Sequence, residues 1–156
     1  MKIKIKVKVA VVVITSLAAI TVLNTPLGAQ QEPDRRTVWD GVFTKEQAKR
    51  GDGLYAQHCS SCHGPDLAGN DEAAPLVGSA FLANWDGLSV GDLMERVRVT
   101  MPPNNLGKLS RQQITDILSY TLSFNSFPAG QTELDPKPEV LKQIRIEASK
   151  PKANSN

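Results

Sequence analysis

The chain has 156 residues, 40% of them apolar and 5% aromatic, enough for one domain with a modest core. Its two Cys and two His exclude a multi-disulfide scaffold. The formal charge of +2 comes from 18 basic and 16 acidic residues, but Lys2, Lys4, Lys6 and Lys8 all precede the first acid, Glu32; without those four, 14 basic residues face 16 acidic ones, a net of −2, and composition gives no basic face for nucleic acid.

The N-terminus alternates Lys with apolar residues, continues through the largely apolar run Val9–Leu23, and ends in Asn24-Thr25-Pro26 and the small pair Gly28-Ala29. This order of charged, apolar and small-residue regions is that of a secretory leader. The run falls short of the ~20 apolar residues of a membrane span. Cleavage after Ala29 is expected, an uncleaved N-terminal anchor being the alternative. The segments that follow are an N-terminal extension (30–43), a domain (44–127) and a tail (128–156).

Thr44-Lys45-Glu46-Gln47 carries a helix-opening capping pattern, and the helix it opens leads into Cys59-Ser60-Ser61-Cys62-His63. The C-x-x-C-H spacing is that of c-type haem attachment. One helical turn presents two thiols to the vinyl groups of one porphyrin edge, and the adjacent imidazole reaches the iron. A redox dithiol expects a βαβ setting, which this region lacks. A zinc site needs four ligands, and His58 directly against Cys59 makes a closed tetrahedron awkward. Export fits the haem reading, because attachment takes place outside the bacterial inner membrane and consumes both thiols.

Residues 64–78 are rich in Gly, Pro, Asn and Asp and predict a loop. Ser89-Val90-Gly91-Asp92 opens a second helix through Leu93, Met94, Val97 and Val99. Met94 belongs to its packed face. Met101 follows the helix and precedes Pro102-Pro103, which end it. A thioether on a Pro-stiffened loop far from the pentad is the candidate distal ligand, a soft neutral donor that favours reduced iron. His58, in the same turn as the attachment, cannot reach the far face. His63 and Met101 together leave no iron position for substrate, which points to outer-sphere electron transfer.

Ser110-Arg111-Gln112-Gln113 opens a third helix with Ile114, Ile117, Leu118, Thr121 and Leu122 at amphipathic spacing. No strand pattern of useful length and no repeat occurs. After Phe127-Pro128-Ala129-Gly130 the tail becomes Pro-rich. Residues 139–147 form a short amphipathic piece that either packs back on the domain or orders on a partner, and the run after Lys150 reads as disordered.

With these residues in place, the chain resembles the class I single-haem c-type cytochromes. The resemblance spans Thr44 to Phe127. It rests on Gly51 and Tyr55, the pentad with Gly64, Pro75-Leu76-Val77-Gly78, Trp85, Thr100-Met101-Pro102 and Tyr120. It implies an all-α cytochrome c fold of about three to five helices around one covalent haem c, first and last helices crossing. Gly51 then permits the close approach, with Tyr55 and Tyr120 packed around it, although Gly51 also reads as a helix-weakening glycine tolerated beside Gly53. A backbone carbonyl ahead of Leu76 accepts from the proximal imidazole. The family more often shows P-x-L where this chain has Ala73-Ala74-Pro75-Leu76, so the acceptor shifts to Ala74. Leu76 packs on the porphyrin, and Trp85 either donates to a haem propionate or is an ordinary core indole.

Trp39-Asp40-Gly41-Val42-Phe43 resembles small exported cytochromes that serve pyrroloquinoline-quinone dehydrogenases. The implied role is a periplasmic electron carrier, not an enzyme, between a dehydrogenase donor and an oxidase or cytochrome acceptor. Two alternatives stand beside it. One is a haem subunit docked permanently on a larger dehydrogenase or oxidase through the 128–148 tail. The other is a haem enzyme or ligand sensor with a labile Met101, served by Arg96 or Arg98.

Overall fold

The computed structural model describes residues 36–152; the leader and the first part of the extension lie outside them. Six α-helices follow in order: α1 (Lys45–His58), α2 (Ser60–His63), α3 (Gly78–Trp85), α4 (Val90–Thr100), α5 (Arg111–Phe124) and α6 (Pro138–Leu141), preceded by a 3-10 turn at Val38–Asp40. The resemblance led to an expectation of three to five. The surplus comes from the break at Cys59, which separates one-turn α2 from α1, and from the one-turn α6 in the tail. No helix among the described residues is long and apolar enough to cross a membrane.

The three long helices start where their capping residues stand. The side chains of Thr44, Ser89 and Ser110 each accept from a backbone N–H three residues on, and Asp92 and Gln113 bond back to complete capping boxes on α4 and α5. The Val38–Asp40 turn uses the same device, Thr37 with Asp40.

The first and last long helices, α1 and α5, form the main helix–helix contact. A side chain on Gly51 would collide with the backbone carbonyl of Asp116, and also with Tyr120 Cβ. Gly53, two residues on, faces open space. Tyr55 and Tyr120 pack beside the crossing, ring centroids 5.4 Å apart. Ile114, Ile117, Leu118 and Leu122 line the buried face of α5. Met94 is 3% exposed, a core residue as its position in α4 predicts.

The tail is part of this core. Leu134, Leu141, Ile144 and Ile146 are buried. Residues 144–146 lie between two other backbone segments. Arg145 N–H donates to Arg36 O and Val38 N–H to Arg145 O on one side, while Ile146 N–H donates to Leu88 O and Val90 N–H to Ile144 O on the other. Gln47, fully buried in α1, ties down the start of the tail: its Oε1 accepts from Leu134 N–H at 2.7 Å and its Nε2 donates to Leu134 O at 3.1 Å. Arg50 bridges Asp116 of α5 to Glu133 of the tail. Of the two alternatives for residues 139–147, the structure takes packing on the domain's own core.

Candidate haem site

The break in helix geometry at Cys59 starts a new turn in which Cys62 N–H and His63 N–H both donate to Cys59 O, at 3.1 and 3.0 Å. That turn brings the two thiols and the imidazole onto one short element. Cys59 is half-buried, Cys62 exposed, and neither is in a disulfide. Burial, and then the neighbouring Cys62, pushes the Cys59 thiol up to about 11. Redox dithiols have depressed thiol pKa values, so the environment of Cys59 is the opposite of a reactive thiolate's. Among the described residues, no group of three or more His, Cys, Asp or Glu side chains is placed to hold a metal ion.

His63 Nδ1 is 2.8 Å from Ala74 O. A carbonyl only accepts, so Nδ1 is the donor in this bond and Nε2 is left free of it. The acceptor is Ala74, the position to which the A-A-P-L sequence shifts it. The loop between His63 and Ala74 is bonded along its length. Gly69 N–H donates to His63 O, Asn70 N–H to Ala73 O, and Leu76 N–H to Leu67 O. Leu67, at the bottom of the loop, is fully buried with a left-handed φ of 60°. The Tyr55 hydroxyl, on α1, donates to Gly64 O at 2.6 Å and holds the loop's entry. Burial keeps that phenol well above its ordinary pKa, so it remains a donor.

The other expected site residues lie on separate segments, Leu76 in the loop, Trp85 at the end of α3 and Met101 at the end of α4. Leu76 and Trp85 are half-buried and pack against the core. Met101 caps the C-terminus of α4, its N–H donating to Val97 O, and is 37% exposed. Val99 and Leu106 flank it in sequence and are 46% and 57% exposed. Two free thiols one turn apart and an imidazole with Nδ1 committed fit the attachment and proximal side of a c-type haem.

Asn125 was not among the sequence candidates. It caps α5 and bonds to the backbone of the loop's far end, accepting from Gly78 N–H and donating to Leu76 O. An Asn just past the last periodic residue of a helix is a legible stop signal, but its partners, 47 and 49 residues away, are not.

Residues 46–120 match the family model described as cytochrome C oxidase, cbb3-type, subunit III. Among solved structures, a chain of the sulfane dehydrogenase SoxCD from Paracoccus pantotrophus matches at 22% identity with a TM-score of 0.45. That match covers 69% of this chain and 61% of the SoxCD chain. No curated protein matches the sequence.

Proposed function

We propose that residues 46–120, which match the cbb3-type cytochrome c oxidase subunit III model, form a c-type cytochrome domain, and that the protein carries single electrons in the periplasm on one haem c, between a dehydrogenase and an oxidase or second cytochrome. Cys59 and Cys62 would hold the group as thioethers, and His63 and Met101 would ligate its iron. The observation that carries this reading is the 2.8 Å bond from His63 Nδ1 to Ala74 O, one residue after the second thiol. It orients the ring and leaves Nε2 as the nitrogen that would meet the iron.

Bound haem c supplies a one-electron iron couple. The chain's own residues do the rest. The Ala74 carbonyl draws on the Nδ1 proton and makes His63 a stronger donor. Tyr55 and Leu67 fix the loop that carries that carbonyl. Met101 supplies a soft sulfur that favours the reduced state. With both His63 and Met101 on the iron, no position would be left for a substrate, which favours electron transfer over catalysis. The periplasmic setting is supported by the leader pattern of residues 1–29 and by the oxidising compartment in which C-x-x-C-H attachment occurs.

Two observations bear on the alternatives. The tail's apolar residues are buried against their own domain, which leaves a permanently docked subunit no apolar strap at 128–148. Arg98, one of the two candidate distal groups for a sensor, is held by both carboxylate oxygens of Glu95.

The test is an optical spectrum of the exported protein, oxidised and reduced, with and without carbon monoxide. A sharp reduced c-type spectrum unchanged by carbon monoxide is the expected result. Ready binding of carbon monoxide overturns the Met101 assignment and favours the sensor. Absence of haem from a host able to attach it overturns the reading entirely.

A further inference from the structure

We propose that Asn125 is a positioning residue for His63, acting through the loop that carries Ala74. The proposal rests on the reading of His63 as the proximal ligand. One carboxamide makes three bonds. Its Oδ1 accepts from Gly78 N–H at 2.9 Å, and its Nδ2 donates to Leu76 O and to Thr121 O, each at 2.9 Å. Carbonyls cannot donate, so these partners fix which way the amide faces. Thr121 belongs to α5, which the crossing with α1 anchors in the core. Leu76 belongs to the loop and Gly78 opens α3, two and four residues beyond Ala74. The side chain thus ties the exit of the proximal loop to a rigid helix.

The loop is gripped on the other side of Ala74 as well. The backbone of Gly69 lies so close to residues 73–75 that a side chain there would strike Pro75 N at 2.7 Å and Ala74 C at 2.8 Å. Gly69 N–H in turn donates to His63 O at 2.9 Å. Leu76 is bonded through both backbone groups, its N–H to Leu67 O and its O to Asn125. The Ala74 carbonyl therefore sits between two clamps, one local and one reaching across from α5. Loss of the α5 clamp lets the exit of the loop move away from His63, and the Nδ1–H···O bond lengthens. A histidine with a weaker Nδ1–H bond is a poorer donor to oxidised iron.

The chemistry demands both ends of an amide. Asp retains the acceptor for Gly78 N–H but has no donor for the Leu76 and Thr121 carbonyls, and places negative charge against them. Ala has neither.

The experiment uses the haem-loaded protein, with haem content first measured by alkaline pyridine spectra. In the reduced protein, hydrogen exchange of His63 Nδ1–H is followed by NMR for wild type, Asn125→Ala, Asn125→Asp and Ile144→Val. The last disturbs the buried tail without touching the loop. The expected result is Nδ1–H exchange about fivefold to tenfold faster in Asn125→Ala, as for the net loss of about one hydrogen bond. Its reduction potential rises. Asn125→Asp shifts exchange in the same direction, which keeps the test open if Asn125→Ala does not fold, and Ile144→Val leaves both readouts at wild-type values. Unchanged exchange in the Asn125 variants, or an equal change in Ile144→Val, overturns this proposal alone. A wild-type protein without haem overturns the ligand reading first, and this proposal with it.

Discussion

The backbone of Gly51 on α1 lies directly against the carbonyl of Asp116 on α5, with no room for a Cβ between them. The neighbours are backbone, which cannot rotate away as a side chain tip could. Helix propensity favours Ala over Gly by ~1 kcal/mol, whereas forcing atoms into a packed site costs ~3 kcal/mol at the upper end. Gly51→Ala is therefore expected to destabilise the protein by about 2 kcal/mol. Gly53→Ala, whose new methyl meets nothing within 4 Å, is expected to stabilise it by ~0.5–1 kcal/mol. Chemical denaturation of both variants decides this. Equal effects would mean that the crossing does not depend on the missing side chain.

The Asp92 carboxylate accepts from Ser89 Oγ at 2.7 Å and from Ser89 N–H at 2.9 Å. The Ser89 hydroxyl, then the Ser89 amide, hold its pKa below the ordinary 3.8, with Lys142 and Arg145 adding to the effect. A carboxylate whose pKa is lower in the folded than in the unfolded state stabilises the fold above its ordinary pKa. The benefit disappears as pH falls through the folded value. Asp92→Ala is expected to cost ~1 kcal/mol at neutral pH, the usual worth of such a cap. The gap between variant and wild type should narrow progressively below pH ~4. Urea midpoints across an acid titration check it, and a gap that widens with acid would contradict the sign.

Local signals made the long helices legible, because a capping pattern of four residues predicts its own geometry. Thr44, Ser89 and Ser110 each stand one residue before a helix. Thr37-Val38-Trp39-Asp40 carries the same pattern and caps the 3-10 turn, yet was not read because only one turn follows it. α3 escaped because Ala80, Phe81, Leu82, Ala83 and Trp85 are apolar on nearly every side and give no clean period. At the candidate site, the turn that brings Cys59, Cys62 and His63 together was legible from their spacing alone. Gln47 was not. Nothing local tells that a helical Gln, 87 residues from Leu134, mimics a paired strand there. The same holds for Asn125 and the loop it clamps. Long-range polar pairings are set by how the elements pack, and one sequence does not carry that information.

The tail illustrates the same limit and yields the last prediction. Its amphipathic pattern was visible, but the partner for its apolar face was not. The structure supplies that partner. Ile146 is fully buried, donates its N–H to Leu88 O and accepts from Gly87 N–H, both at 2.8 Å. If this is the tail's work, Ile146→Ala should cost ~2–5 kcal/mol, as for other buried Ile truncations. Below the unfolding transition it should leave the rate of electron exchange with a redox partner unchanged, because the side chain does not face outward. A tail that served as a docking strap gives the reverse pattern, normal stability with a weakened complex. Denaturation curves and stopped-flow oxidation by a partner cytochrome, run on the same preparation, separate the two: a slower exchange rate at full stability would return the tail to the partner surface.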